Sequence, residues 1–492
     1  MVFSSINVTL LCGSTVLTAM CALLTIRVSR ERKKRSFAQL RLEREQKRQK
    51  LKSLFCEESK LPNINYIQKK ILKINEVNDE VHHIMHVVCV GRSSDYYRFF
   101  DSKTSRKIKA QLHQHLDQAL SPTVMGLFED RYIVMVFVKD TPWTQEQLID
   151  QQQKVQRALP NQKVVEDKLL PFDYSIASMS FSDVDISKGK SYLFKKMAYC
   201  VKKSLKSLNG LYSYRDSDYQ RSLRKRQIIQ DLSHDIRLGG DSFDLCYQPI
   251  YHSTDTAKVE IWEILLRWQR SEYGGPGEFM PLVATKPHLH YSLTMMILQK
   301  VIDFALESKQ SLPNISINIS NTDLMMIDFC DDVMVATERV PELRSKIIFE
   351  VVEYSEMLSQ KHAKDNIANL KQAGFRFAID DFGCGYSNIN LLSEKHFDFI
   401  KIDKSIIRTC DHDIVASETL KFMLTLSESI DVGLVIEGVE TEEHLALLPK
   451  KSNVFLQGFL LSKPIKLPSF SSAAESAKPS AICCGGVTSR GE

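Results

Sequence analysis

The stretch FRFAIDD at 375–381, followed by FDFIKID at 397–403, decides the fold of this chain. Each is a short apolar run that ends in acids or carries a lysine just before an acid. The pattern recurs in both directions. VEIWE ends at Glu263, SINIS carries Asn318 and KIIFE ends at Glu350; further on, GLVIE ends at Glu437 and VFLQ ends at Gln457. Runs this short and this rich in Ile, Val and Phe, separated by longer amphipathic stretches, predict strands alternating with helices, for which a closed α/β barrel is the natural solution. Polar residues at the C-terminal ends of barrel strands converge on one mouth, where such barrels do their chemistry. One acid closing one strand is ordinary, because strands must stop somewhere. Seven polar closures in one register predict a site.

At 492 residues the chain has room for two to four domains, and 43% apolar with 25% charged residues is ordinary for a globular protein. The net charge of +5 hides an asymmetry: residues 27–53 carry twelve Lys/Arg against three Glu, a local +9, so the remainder stands at −4. The eleven cysteines form no CxxC pair and no metal-ligand spacing, which argues for a reducing setting. Residues 2–26 contain no charged side chain and are long enough to span a bilayer as a helix. No Lys or Arg precedes Arg27, as a cleaved signal peptide would require, and the cluster Arg27, Arg30, Arg32, Lys33, Lys34, Arg35 follows directly. The expectation is an uncleaved single-pass anchor in a bacterial inner membrane, with the cluster on anionic headgroups and everything downstream cytoplasmic.

Residues 36–56 read as a charged helix with irregular apolar spacing. From about 84 to 218 the pattern is α+β: a strand at HVVCV, the helix RKIKAQLHQHLDQAL, a hairpin at GLFEDRYIVMVFV, a strand at SIASMSF and the helix YLFKKMAYCVKKSLKSL. A basic helical stretch at 219–237 leads into the barrel. The expected division is a transmembrane anchor at 1–28, a basic juxtamembrane linker at 29–75, an α+β domain at 76–225, the barrel at 226–470 and a disordered tail at 471–492.

The barrel segment resembles the EAL family of cyclic di-GMP phosphodiesterases from about 243 to 468. The matching blocks are YQPI at 247–250, EILLRW at 263–268, NIS at 318–320, EVVE at 350–353, DDFGCGYS at 380–387, KID at 401–403, EGVE at 437–440 and QGFLLSKP at 457–464. Ile264 departs from the family's Ala. The resemblance implies a TIM-like (β/α)8 barrel, preceded by the α+β domain and the anchor.

On chemistry alone, clustered carboxylates and an amide suit hard cations such as Mg²⁺ or Mn²⁺, and two such ions assist phosphodiester cleavage by activating water and neutralising the phosphate. The resemblance implies that Glu263, Asn318, Glu350, Asp380 and Asp381 hold two Mg²⁺ or Mn²⁺ ions, with Glu437 completing their shell. Lys401 matches the family's catalytic lysine. Glu353 matches the residue that braces the loop carrying Gly383 and Gly385. Gln248, Arg267, Asp403, Glu440 and Gln457 are implied around the substrate.

The preceding domain resembles the GGDEF family of diguanylate cyclases through its element order. Phe128, Glu129, Asp130, Arg131 and Tyr132 stand where that family has its Gly-Gly-Asp-Glu-Phe turn, and the glycines that let backbone approach a nucleotide are gone. A catalytically silent domain is expected, kept for homodimerisation, regulation or a signalling partner. The whole reads as a membrane-anchored hydrolase of cyclic di-GMP to pGpG. The alternative is a silent cyclic di-GMP receptor working through protein partners, which the full set of acids and Lys401 disfavours. No binding of polymeric nucleic acid is expected, and an RNA-turnover adaptor is disfavoured because the barrel is hardly degenerate.

Overall fold

The computed structural model describes residues 27, 31–39, 41–42, 44–46, 49, 53–56, 59–78, 80–90, 102–128, 132–165, 168–171, 173–181, 190–308, 311–352, 360–382 and 396–467. The chain divides into two compact units between Ser222 and Leu223, inside the helix Asp216–Arg237.

In the first unit the strands are β1 (His82–Val90), β2 (Val124–Phe128), β3 (Tyr132–Lys139), β4 (Gln162–Val165), β5 (Lys168–Pro171), β6 (Tyr174–Ser180) and β7 (Leu211–Ser213). Five form a sheet of order β2-β3-β1-β6-β7, antiparallel except for β6–β7, while β4 and β5 make a separate hairpin. β1 is the central strand and is buried on both faces, as a strand covered on both sides is. Ile84 and Val88 pack with Leu112 and Leu116 of the helix Ser102–Leu120, whereas Met85 and Val87 pack with Ile67 and Met197 on the other face. His86 is fully buried in this strand, its Nδ1 2.7 Å from Ser178 Oγ, and burial pushes the imidazole down to about 3. The helix Gln145–Ala158, which the sequence reading passed over, opens on a capping box in which Thr144 and Gln147 satisfy each other's backbone amides. Of the degenerate turn, Phe128 and Tyr132 are described; Glu129, Asp130 and Arg131 lie outside the described residues.

The expected membrane placement is corrected here. Among the described residues no helix is long and apolar enough to cross a membrane. A span needs about 20 consecutive, mostly apolar residues, and the helical residues 31–39 are exposed and largely charged. The stretch 2–26, diluted by Ser, Thr, Asn and Gly, lies outside the described residues. The single-pass inner-membrane reading therefore falls.

The second unit is a closed barrel of eight strands: β8 (Phe243–His252), β9 (Asp255–Trp268), β10 (Asn314–Ile319), β11 (Ile347–Val352), β12 (Arg376–Phe382), β13 (Phe399–Ile402), β14 (Gly433–Ile436) and β15 (Val454–Leu456). They lie in sequence order, and β15 pairs with β8 to close the ring; β16 (Ile465–Lys466) adds to the edge of β8. Strands β9 to β15 are parallel, but β8 runs antiparallel to both neighbours. The cause is local. Only Ser253 and Thr254 separate β8 from β9, enough for a hairpin and far too short for a parallel crossover.

The strand period of two places the polar residues. Ile261, Ile348, Ala378, Phe399 and Val435, joined by Phe455, plug the barrel interior. Two residues beyond each of these stands Glu263, Glu350, Asp380, Lys401, Glu437 or Gln457, on the same inward face and one layer nearer the mouth. The intervening residues, such as Phe349, Ile379 and Ile400, pack outward against the surrounding helices. On antiparallel β8 the order reverses, so Gln248 precedes the plugging residue Ile250 and lies opposite Glu263.

Candidate active site

Lys401 is the centre of the mouth. Its ammonium lies 2.8 Å from Glu350 Oε2 and 2.8 Å from Glu437 Oε1, 3.1 Å from Asp380 Oδ1 and 3.6 Å from Glu263 Oε1. The side chain is 2% exposed. Burial works against the charge, but Asp380, Glu263, Glu350 and Glu437 outweigh it and hold the ammonium well above the usual lysine range. Burial pushes the Glu350 and Glu437 carboxyls up, with Lys401 opposing and the neighbouring acids adding to the rise.

Glu263 is tied from two sides. Gln457 Nε2 donates to its Oε2 at 2.5 Å, and Asn318 Nδ2 reaches its Oε1 at 3.4 Å. Asn318 and Glu350 are register partners on β10 and β11. Asp380 Oδ1 is buried and has no hydrogen-bond partner among the described residues; Lys401 approaches it as an ion pair only. Asp381 follows at a φ of +54°, the left-handed region, where β12 and β13 slip in register. That turn lets two successive acids leave the strand in different directions, at a cost of about 1–3 kcal/mol in backbone strain.

A cavity of about 290 Å³ opens beside this cluster, with Gln248, Glu263, Glu437, Glu440 and Gln457 on its walls. Lys404, Arg408 and Phe459 line it too. The sequence reading missed these three. Lys404 and Arg408 are one helical turn apart after the KID block, a signal readable only once the helix Lys404–Thr409 is known. Arg408 Nη2 is 2.5 Å from Glu440 Oε1.

Two expected substrate residues are not on the cavity wall, although Asp403 lies close enough to Asp381 to help burial and Asp380 raise its carboxyl. Arg267 shares the inward face of β9 with Glu263, but its Nη1 donates to the carbonyl of Leu266 at 2.9 Å and it is not on the cavity wall. Asp403 caps the helix Lys404–Thr409, its Oδ1 accepting from the Ser405 amide at 2.8 Å. Glu353 and the loop with Gly383 and Gly385 lie outside the described residues.

The donor set suits a hard divalent cation: carboxylate oxygens, one amide and a buried Asp380 oxygen met only by the Lys401 ammonium among the described residues. Among the described residues no three such side chains already surround a common point at ligand distance. Their negative charge converges on Lys401 instead.

Comparison with known proteins agrees with this geometry. Residues 229–464 match the EAL domain. An uncharacterised signalling protein of Caulobacter vibrioides is 29% identical over 57% of this chain and 34% of its own length. The probable cyclic di-GMP phosphodiesterase PdeN of Escherichia coli is 30% identical over 47% of this chain and 45% of its own. The cyclic di-GMP phosphodiesterase PdeL of the same organism is 28% identical over 48% of this chain and 67% of its own. The chain thus spans a third to two thirds of the length of these relatives. Within the matched segment the motif reads Glu263-Ile264-Leu265. Ile264 faces outward into the helix-lined core, away from Glu263, so the larger side chain is accommodated by packing without touching the mouth.

Proposed function

We propose that the EAL domain of this chain hydrolyses cyclic di-GMP to linear pGpG with the help of two divalent cations, Mg²⁺ or Mn²⁺. The observation that carries this reading is the Lys401 ammonium set among Glu263, Glu350, Asp380 and Glu437 at the mouth of an EAL barrel. PdeL, a relative named for this activity, supports the substrate class.

In this reading Glu263, Asn318, Glu350, Asp380 and Asp381 hold the cations, which supply charge neutralisation at the phosphate and a lowered pKa for the attacking water. Gln457 keeps Glu263 in its ligating orientation. Lys401 offsets anionic charge as the phosphorus–oxygen bond to the ribose breaks, and Glu437 completes the shell around the cations. Gln248 and Glu440, on the cavity wall, orient the nucleotide. Arg267 and Asp403, off the cavity wall, contact the part of the cyclic dinucleotide that extends past it. Glu353 braces the neighbouring loop. The first unit is a degenerate GGDEF-like domain, retained for homodimerisation or for a protein partner.

Incubating the full chain with cyclic di-GMP and each metal, then separating the products, tests the proposal. Linear pGpG is the expected product. Bound but intact cyclic di-GMP would make the chain a receptor.

A further inference from the structure

The carboxylates proposed to hold the cations are already engaged by a cation of the chain's own. Glu350 Oε2 and Glu437 Oε1 each stand 2.8 Å from Lys401 Nζ, with Asp380 Oδ1 at 3.1 Å and Glu263 Oε1 at 3.6 Å. These are ammonium–carboxylate distances, and the lone pair that each of these oxygens gives the ammonium is not offered to a metal at the same time. A divalent ion at about 2.0–2.1 Å from the same oxygens would lie in near contact with the ammonium. The ammonium itself is almost closed to water, so little solvent would screen that repulsion.

Resting on the metal-dependent reading above, we propose that Lys401 and the divalent cation compete for one set of carboxylates, so that loading the site is an exchange. The ammonium leaves Glu350 and Glu437 as the ion takes them. It then stands free to meet the anionic substrate. The four-carbon stem permits the swing without movement of β13. Lys401 therefore has two successive partners: the acids in the unloaded site and the phosphate in the loaded one. The exchange also keeps the acids neutralised throughout, which a buried cluster of four carboxylates requires.

The test is Mn²⁺ binding by the full chain, followed by the loss of the free-ion paramagnetic resonance signal, alongside melting curves with and without Mn²⁺. Lys401→Met removes the competitor. It is expected to bind Mn²⁺ about tenfold tighter than the parent or better, a coupling of ordinary size between two exclusive ligands. Its melting temperature without metal should fall, and the rise on adding Mn²⁺ should exceed the parent's. Lys401→Gln is run beside it, so that a folding failure of one variant leaves the other. Unchanged or weaker Mn²⁺ binding in the folded variants, with the parent binding normally, would overturn the exchange and leave the metal site standing. A parent that binds no Mn²⁺ would overturn both.

Discussion

Gln457, just past the end of β15, donates from Nε2 to Glu263 on β9 at 2.5 Å, spanning 194 positions of sequence and the seam of the barrel. Both side chains are buried, and the acceptor is a carboxylate, so the bond is charge-assisted. Gln457→Ala should leave Glu263 free to turn away from the mouth. A lost hydrogen bond to a charged group is worth about 1.5–3 kcal/mol, so kcat/KM is expected to fall roughly 10- to 150-fold. Gln457→Glu should be worse, because it sets a second carboxylate against the first.

Asp380→Ala and Asp381→Ala should each reduce phosphodiesterase turnover to background. Asp380 carries a buried oxygen paired only with the Lys401 ammonium among the described residues, and Asp381 the left-handed turn that aims the second acid. The check is product formation at saturating metal; near-parental rates in either variant would reassign the ligands. Asp381→Gly separates the two contributions, because it keeps the turn and deletes the carboxylate.

Lys401→Ala is expected to lower kcat by about 100-fold or more while cyclic di-GMP binding, measured by calorimetry, remains. An equal loss in affinity and rate would make the lysine a binding group.

Gly458 borders the cavity directly after Gln457. A Cβ there would meet Val439 O at 2.0 Å and Val439 N at 2.4 Å, both backbone atoms with no flexible side chain to give way. Gly458→Ala should therefore cost about 1–3 kcal/mol of stability, read as a lower melting temperature. Activity should drop with it, since the push displaces Gln457.

Away from the mouth, Asp235 accepts from Arg270 through two 2.8 Å bonds and from Trp268 Nε1 at 2.8 Å. The Arg270 bonds hold its carboxyl well below the usual range, against burial, with Trp268 helping. Since the folded value is the depressed one, the stabilisation is complete above the unfolded pKa of about 3.9 and drains away as pH falls towards the folded value. Asp235→Asn should melt roughly 3–10 °C below the parent at pH 7. The gap should narrow below about pH 4. A gap that stays constant down to pH 2 would mean that packing, and not the carboxylate charge, does the holding.

The barrel and most of its mouth were legible because one rule governs both. An inward apolar residue followed two positions later by an inward polar one marks each of Ile348/Glu350, Ala378/Asp380 and Phe399/Lys401, and that spacing is visible in a linear string. Strand limits were less legible. β9 runs past Glu263 to Trp268, since ILLRW is as strand-like as VEIWE. The direction of β8 depends on a pairing partner, which composition does not encode, although the two-residue link at Ser253–Thr254 was a usable hairpin signal. Asp403 shows how two rules collide. Its place two residues after Lys401 suggested a site acid, but an Asp just before a helix is also an N-cap, and the structure uses it as one while keeping it near Asp381. Arg408 required the helical phase before it could be set on the cavity wall.

The seam where β15 meets β8 rests on two residue pairs, Phe455 with His252 and Leu456 with Tyr251. Such distant pairing forms late in folding, because the loop entropy must be met before the contact rewards it. During synthesis Glu263 emerges long before its partner Gln457, and the ring stays open until β15 has left the ribosome. A chain stalled or clipped ahead of Val454 lacks both the closing strand and the group that aims Glu263. Under the proposed function, incomplete copies are thereby kept from acting on the cyclic dinucleotide.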